Sequence, residues 1–151
     1  MLKRRKPQIS VLLAPGSEET DVLAVTRTLR EARFPVVVVG LTANPAPGAY
    51  GLSLAPDKTL SEVKAEDFQA VVLPGGERGV GQLNADPRVH AFVRQVAAQG
   101  GVVLALGEAE QVVRTAGVGD RAGPPEGGEV VLWDTGAAEA AAQRLAATVI
   151  G

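Results

Sequence analysis

A single-domain, doubly wound α/β fold is predicted. It is a flavodoxin-like three-layer sandwich with a parallel sheet in strand order 2-1-3-4-5. Three observations predict it. Short apolar runs rich in Val, Leu and Ile recur at residues 9–14, 36–41, 70–73, 102–106 and 129–133, with the near-continuous hydrophobicity of parallel strands covered on both faces. Segments of helical period separate them, so strands alternate with helices. The 151 residues suit one core, and neither a repeat nor a second domain is visible. The domain is expected over 8–151, behind a basic tail at 1–7.

Ile9-Ser-Val-Leu-Leu-Ala14 reads as a central strand. Pro15-Gly16 turns the chain, Ser17 is placed to cap a helix, and Glu18, Glu19 and Asp21 load its first turn with charge that suits the helix dipole. Val22, Val25, Leu29 and Ala32 form its buried stripe. Val36 to Leu41 is a β-branched strand that completes a βαβ unit. Thr42 to Pro56 is a loop, with a short edge strand expected at Gly51 to Leu54. Thr59-Leu-Ser-Glu62 has capping-box spacing and opens one helical turn.

Ala70 to Leu73 is the third central strand, closed by Pro74-Gly75-Gly76. Asp86-Pro87 reads as an N-cap with proline at the first helical position. Val89, Phe92, Val93 and Val96 are the stripe of that helix, which Gly100 stops. Val102 to Leu106 feeds a second helix through a turn at Gly107, at the carboxyl edge where such sheets place their chemistry. Gly117 to Gly128 is a loop. Glu129 to Trp133 is the fifth strand, and Ala138, Ala142, Leu145 and Val149 share one face of a closing helix. Its small residues at 137–142 either let it lie close on its own sheet or offer a contact to another chain.

Composition removes several function classes. With no cysteine and a single histidine, His90, there is no disulfide, no thiolate or multi-histidine metal site and no cysteine nucleophile. A net charge of −2 argues neither for a nucleic-acid surface nor for an acidic tail, and no nucleic-acid partner is expected. No apolar run nears the ~20 residues that span a bilayer. The basic start, Met1-Leu-Lys-Arg-Arg-Lys6, reads as a solvated tail, and a cytoplasmic protein is expected. Gly117-Val-Gly119-Asp-Arg-Ala-Gly123 follows a helix with the wrong spacing for a dinucleotide fingerprint, and no phosphate loop is present. No cofactor and no metal are expected.

Ile9 to Asp21, Val71-Val-Leu-Pro-Gly-Gly76 and Gly101 to Gly117, with Pro56-Asp57 before a short helix, resemble the ThiJ/PfpI superfamily, also called the DJ-one family, within the class I glutamine amidotransferase-like fold. The resemblance implies an acid at Asp21 after the first strand and backbone N–H donors at Gly75-Gly76. The family's elbow pattern Ala-x-Cys-x-Gly-Pro falls on Ala105-Leu-Gly-Glu-Ala-Glu110, which puts Gly107 where the cysteine stands. It further implies a homodimer and a stress-related role.

An elbow thiolate is stabilised by a helix N-terminus and aimed by strained backbone. Glycine carries no nucleophile and adopts such a conformation nearly freely. What remains is Gly75, Gly76, Asp21, Glu108 and Glu110. The two glycines read either as an anion-binding nest or as a tight turn needing positive φ. Asp21, Glu108 and Glu110 read as helix-start charges. Asp21 and Glu108 have a second reading: facing each other, one carboxyl would be raised for acid/base work, or the two would fill the anion site and shut it. His90 reads as structural, and Trp133 as core or rim. Three functions follow: a non-catalytic binding or dimeric protein, a cysteine-independent hydrolase or lyase using Asp21 and Glu108, and a purely structural interaction module.

Overall fold

A computed structural model describes residues 7–118, 129–133 and 138–150, the stretch 129–133 by its backbone alone. The basic tail, most of the loop over 117–128 and the Trp133 side chain lie outside what it describes. In chain order the elements are β1 (Gln8–Leu13), α1 (Glu19–Glu31), β2 (Val36–Gly40), β3 (Ala46–Pro47), β4 (Ser53–Leu54), β5 (Lys58–Thr59), β6 (Phe68–Leu73), α2 (Glu77–Asn84), α3 (Pro87–Ala98), β7 (Val102–Leu106), α4 (Glu110–Ala116), β8 (Glu129–Trp133) and α5 (Ala138–Ile150). The main sheet runs β5-β2-β1-β6-β7-β8 with every neighbouring pair parallel. Without the two-residue edge strand β5, this is the 2-1-3-4-5 order the apolar runs predict.

Alternation along the central strands sorts the core into two halves. Ile9, Val11 and Leu13 of β1 face one way, packing with Val25 and Leu29 of α1 and with Ala141 and Leu145 of α5. Leu12 and Ala14 face the other way, toward α2, α3 and α4, where Val80, Leu83, Val93, Val96 and Val112 wait. Both faces are covered, so the strands carry almost no polar side chains. Gln8 and Gln69 are exposed at the strand starts; the buried exception is Ser10, whose hydroxyl donates to the Ala70 carbonyl at 2.9 Å. Ala141 and Ala142 are fully buried within this chain. Their small side chains let α5 lie close on the core, rather than on another molecule.

Two local expectations are corrected, and one helix is added to those expected. Ser17 does not cap α1: the N-cap is Glu18, with no side-chain cap. The Ser17 hydroxyl turns back instead to accept from the Ala14 N–H at 3.1 Å. The stretch 53–54 joins no edge of the main sheet but pairs antiparallel with 46–47 as a separate hairpin. Residues 77–84 form α2, a helix that the glycines at 79 and 81 argue against on propensity alone. Gly79 is there for space, since a Cβ on it would stand 2.5 Å from the Ser17 nitrogen. The helix sits directly on the turn after β1.

Two caps behave as read. The Thr59–Glu62 capping box closes a 3-10 turn, and Asp86 Oδ1 accepts from the Arg88 N–H at 2.9 Å, with Pro87 opening α3. Asp86→Ala is expected to cost about 1 kcal/mol, measured by chemical denaturation.

Candidate functional site

The strands β1, β6 and β7 lie side by side in the sheet, so the turns that follow them meet at its carboxyl edge. These turns and the helix starts they feed carry Glu18 and Asp21, Gly75 and Gly76, and Gly107 and Glu108. Gly107 has φ +53° and Gly76 has φ +99°, left-handed values that favour glycine. At Gly107 they let the chain leave β7 and enter a 3-10 turn over Gly107–Ala109 before α4.

The donors at Gly75-Gly76 are both taken from within the chain. The Gly75 N–H donates to Asp21 Oδ2 at 2.9 Å, and the Gly76 N–H donates to Glu108 Oε2 at 3.2 Å. The Gly75 carbonyl in turn accepts from the Glu18 N–H at 2.9 Å. A Cβ on Gly75 would stand 2.9 Å from Asp21 Oδ2 and 3.3 Å from Glu108 Oε2. Two carboxylates therefore converge on one glycine. Of the residues singled out in the sequence, Asp21, Gly75, Gly76, Gly107 and Glu108 come together. Glu110 does not, pairing instead with Arg114 one turn along α4. His90 lies on α3 with Nε2 2.9 Å from Asn84 Oδ1, a structural contact.

Asp21 is more than a dipole charge. It is 3% exposed, and burial pushes its carboxyl above the ordinary value. The Gly75 N–H pulls it part of the way back, while the carboxylates of Glu18 and Glu108 push it up again. Like-charge repulsion is present as anticipated, but burial is the larger cause. The sign for stability follows. Because the folded-state value is raised, Asp21 favours the fold below its unfolded value of 3.8 and loses that contribution as pH rises through the raised one. Asp21→Asn keeps an oxygen for the Gly75 N–H and removes the charge. It is expected to melt higher than wild type at pH 7.5, and to lose the gain in melting temperature that wild type shows on acidification.

Sequence reading missed Glu19. It is 5% exposed, and its carboxylate accepts from the N–H groups of Tyr50 and Leu52, at 2.9 and 3.0 Å. Burial alone would raise this carboxyl, but those donors outweigh it and hold the group below its usual value. Glu19 thereby ties the β3–β4 hairpin to the start of α1. The density of acids over 18–21 was the available signal, read there only as helix-start charge. Beside this junction lies a cleft of about 390 Å³ lined by Glu18, Thr20, Asp21, Tyr50, Ala138 and Glu139, among others. Among the described residues no three His, Asp or Glu side chains converge as metal ligands would. Nor is any described helix long and apolar enough to cross a membrane.

The model of the DJ-1/PfpI family matches residues 7–122. Protein dj-1beta of Drosophila melanogaster is 33% identical over 109 residues, covering 72% of this chain and 58% of the relative. A deglycase of Pyrococcus horikoshii is 25% identical over 111 residues, covering 74% of this chain and 66% of the relative. The chain thus spans little more than half the length of the fly protein. Among solved structures, a cysteine-to-alanine mutant of a DJ-1 superfamily protein from Salmonella typhimurium superposes with a TM-score of 0.81 at 29% identity, covering 96% of this chain and 91% of that one.

Proposed function

This chain belongs to the DJ-1/PfpI family, and on that premise we propose that it is a non-catalytic member kept for small-molecule binding or self-association. One observation carries the reading. The elbow residue is Gly107, which has no side chain, and the two donors beside it are already satisfied by Asp21 and Glu108. A nucleophile and free donors for the developing oxyanion are the two parts such a site needs. The test is turnover of methylglyoxal and of an activated ester by the wild-type protein. The expected result is a rate no higher than buffer. Turnover by wild type would overturn the reading.

The alternative is a cysteine-independent hydrolase or lyase, and one observation favours it. Asp21 is a buried carboxyl raised above its ordinary value and set against Glu108, as a general acid would be. Its signature would be wild-type turnover that disappears in Asp21→Asn and in Glu108→Gln.

For the non-catalytic role, a second copy of the chain is the partner we favour over a purely structural contact elsewhere. Leu23 on α1 and Tyr50 and Leu52 on the hairpin are 66%, 76% and 64% exposed. Glu19 ties the hairpin backbone to the start of α1, and Leu23 lies one helical turn beyond it. Exposed apolar residues gathered this way mark association sites. Sedimentation equilibrium is expected to give a dimer for wild type and a monomer for Leu23→Asp with Tyr50→Ser. A monomeric wild type would end the dimer reading. The 390 Å³ cleft is the place for a ligand, and three carboxylates on its wall select neutral or cationic molecules.

A further inference from the structure

We propose that Glu108 closes this site to anions: its carboxylate is seated on the Gly76 N–H as a built-in anion, where an incoming carboxylate or oxyanion would have to bind. The inference rests on the reading above, that Gly75-Gly76 is a donor cradle left without its nucleophile.

The two carboxylates at the cradle are not equivalent. Asp21 is buried, comes from α1 and holds the Gly75 N–H at 2.9 Å, so it is a fixed part of the junction. Glu108 is exposed, comes from the elbow turn and holds the Gly76 N–H at the longer distance of 3.2 Å. Its reach is set by its place in the chain. It follows Gly107 directly, and the left-handed φ of +53° there turns the chain so that the next side chain points back at β6. Glycine at the elbow and glutamate after it therefore act together. One takes a reactive group away, and the other fills the position that group would have served.

Charge makes the exclusion more than steric. A small anion approaching Gly76 meets Glu108 at the donor, Asp21 on the neighbouring donor, and Glu18, whose charge already reaches Asp21. The repulsion is largest on the side of Asp21, which is buried, and is screened by solvent around the exposed Glu108. The plainer account is that Glu108 only complements the start of a helical segment. That account predicts a change in stability on mutation and no change in anion binding, so the two can be separated.

The test uses the full chain labelled with nitrogen-15, with sodium acetate as probe at constant ionic strength. In wild type, the Gly76 amide is expected not to respond to acetate. In Glu108→Ala, the Gly76 amide is expected to move before any acetate is added, and then to show a saturable response at acetate concentrations that leave the wild-type amide unmoved. The Gly75 amide, whose acceptor Asp21 is untouched, should stay in place in both proteins. Glu108→Gln keeps an acceptor and serves as a milder variant if Glu108→Ala does not fold. It should respond to acetate more than wild type does. The proposal is overturned if the Gly76 amide is in the same place with and without Glu108. Equal acetate responses in wild type and variant, or none in either variant, overturn it too. Failure of the non-catalytic reading is seen separately, as turnover by the wild-type protein.

Discussion

Gly76→Ala is expected to destabilise the fold by about 3 kcal/mol in a urea titration, the combined cost of a side chain in left-handed backbone and of a clash that cannot relax. The Gly76 φ of +99° is the first contribution. The second is that a Cβ there would stand 2.6 Å from the Gly16 carbonyl oxygen and 3.0 Å from the Glu18 nitrogen. Both are backbone atoms of the turn after β1, which α2 packs on through Gly79, so neither can swing aside as a side chain would. A loss of less than 1 kcal/mol would show that this turn yields, and that the three loops of the site are not held as tightly as their distances imply.

Phe68→Ala is expected to cost about 4 kcal/mol, the range found for removing a buried aromatic ring. Phe68 is 2% exposed and lies in the core half facing α2, α3 and α4, with its ring 5.7 Å from that of Phe92. It opens β6, whereas Gly75-Gly76 follow the other end of that strand. The loss should therefore appear in unfolding, while the amides of Gly75 and Gly76 keep their positions. Movement of those amides would mean that packing at the start of β6 is felt along its whole length.

The sheet was readable because burial on both faces leaves little choice of residue. Val36 to Val39 or Val102 to Leu106 can hardly be anything but interior strand, and the helical stripes between them set the layers. The site was half readable. Asp21, Gly75, Gly76, Gly107 and Glu108 could be named, and the possibility that two carboxylates fill the cradle could be stated. Which oxygen meets which N–H depends on how three turns, distant in sequence, are stacked by the sheet. No local pattern encodes that.

Glu19 was missed for the same reason. Its partners Tyr50 and Leu52 lie some thirty residues on in an irregular loop, and a glutamate at a helix start has an ordinary explanation at hand. The helix α2 was missed because two glycines in eight residues look like a turn. One of them is a docking surface, legible only once Ser17 is known to lie against it.

The two halves of the core are completed at different moments of synthesis. Among the described residues, the face covered by α2, α3 and α4 is made of residues up to Val118. The other face needs α1 from near the start and α5 from residues 138–150, where Ala141, Ala142 and Leu145 are buried and Arg27 meets Glu139 across the pair. A nascent chain that has just released α4 therefore carries one face with its helices in place and one face still lacking α5, the state most exposed to chaperones and to aggregation. Stalled chains ending before residue 138 should bind a hydrophobic dye and chaperone strongly, and chains released past residue 150 should not.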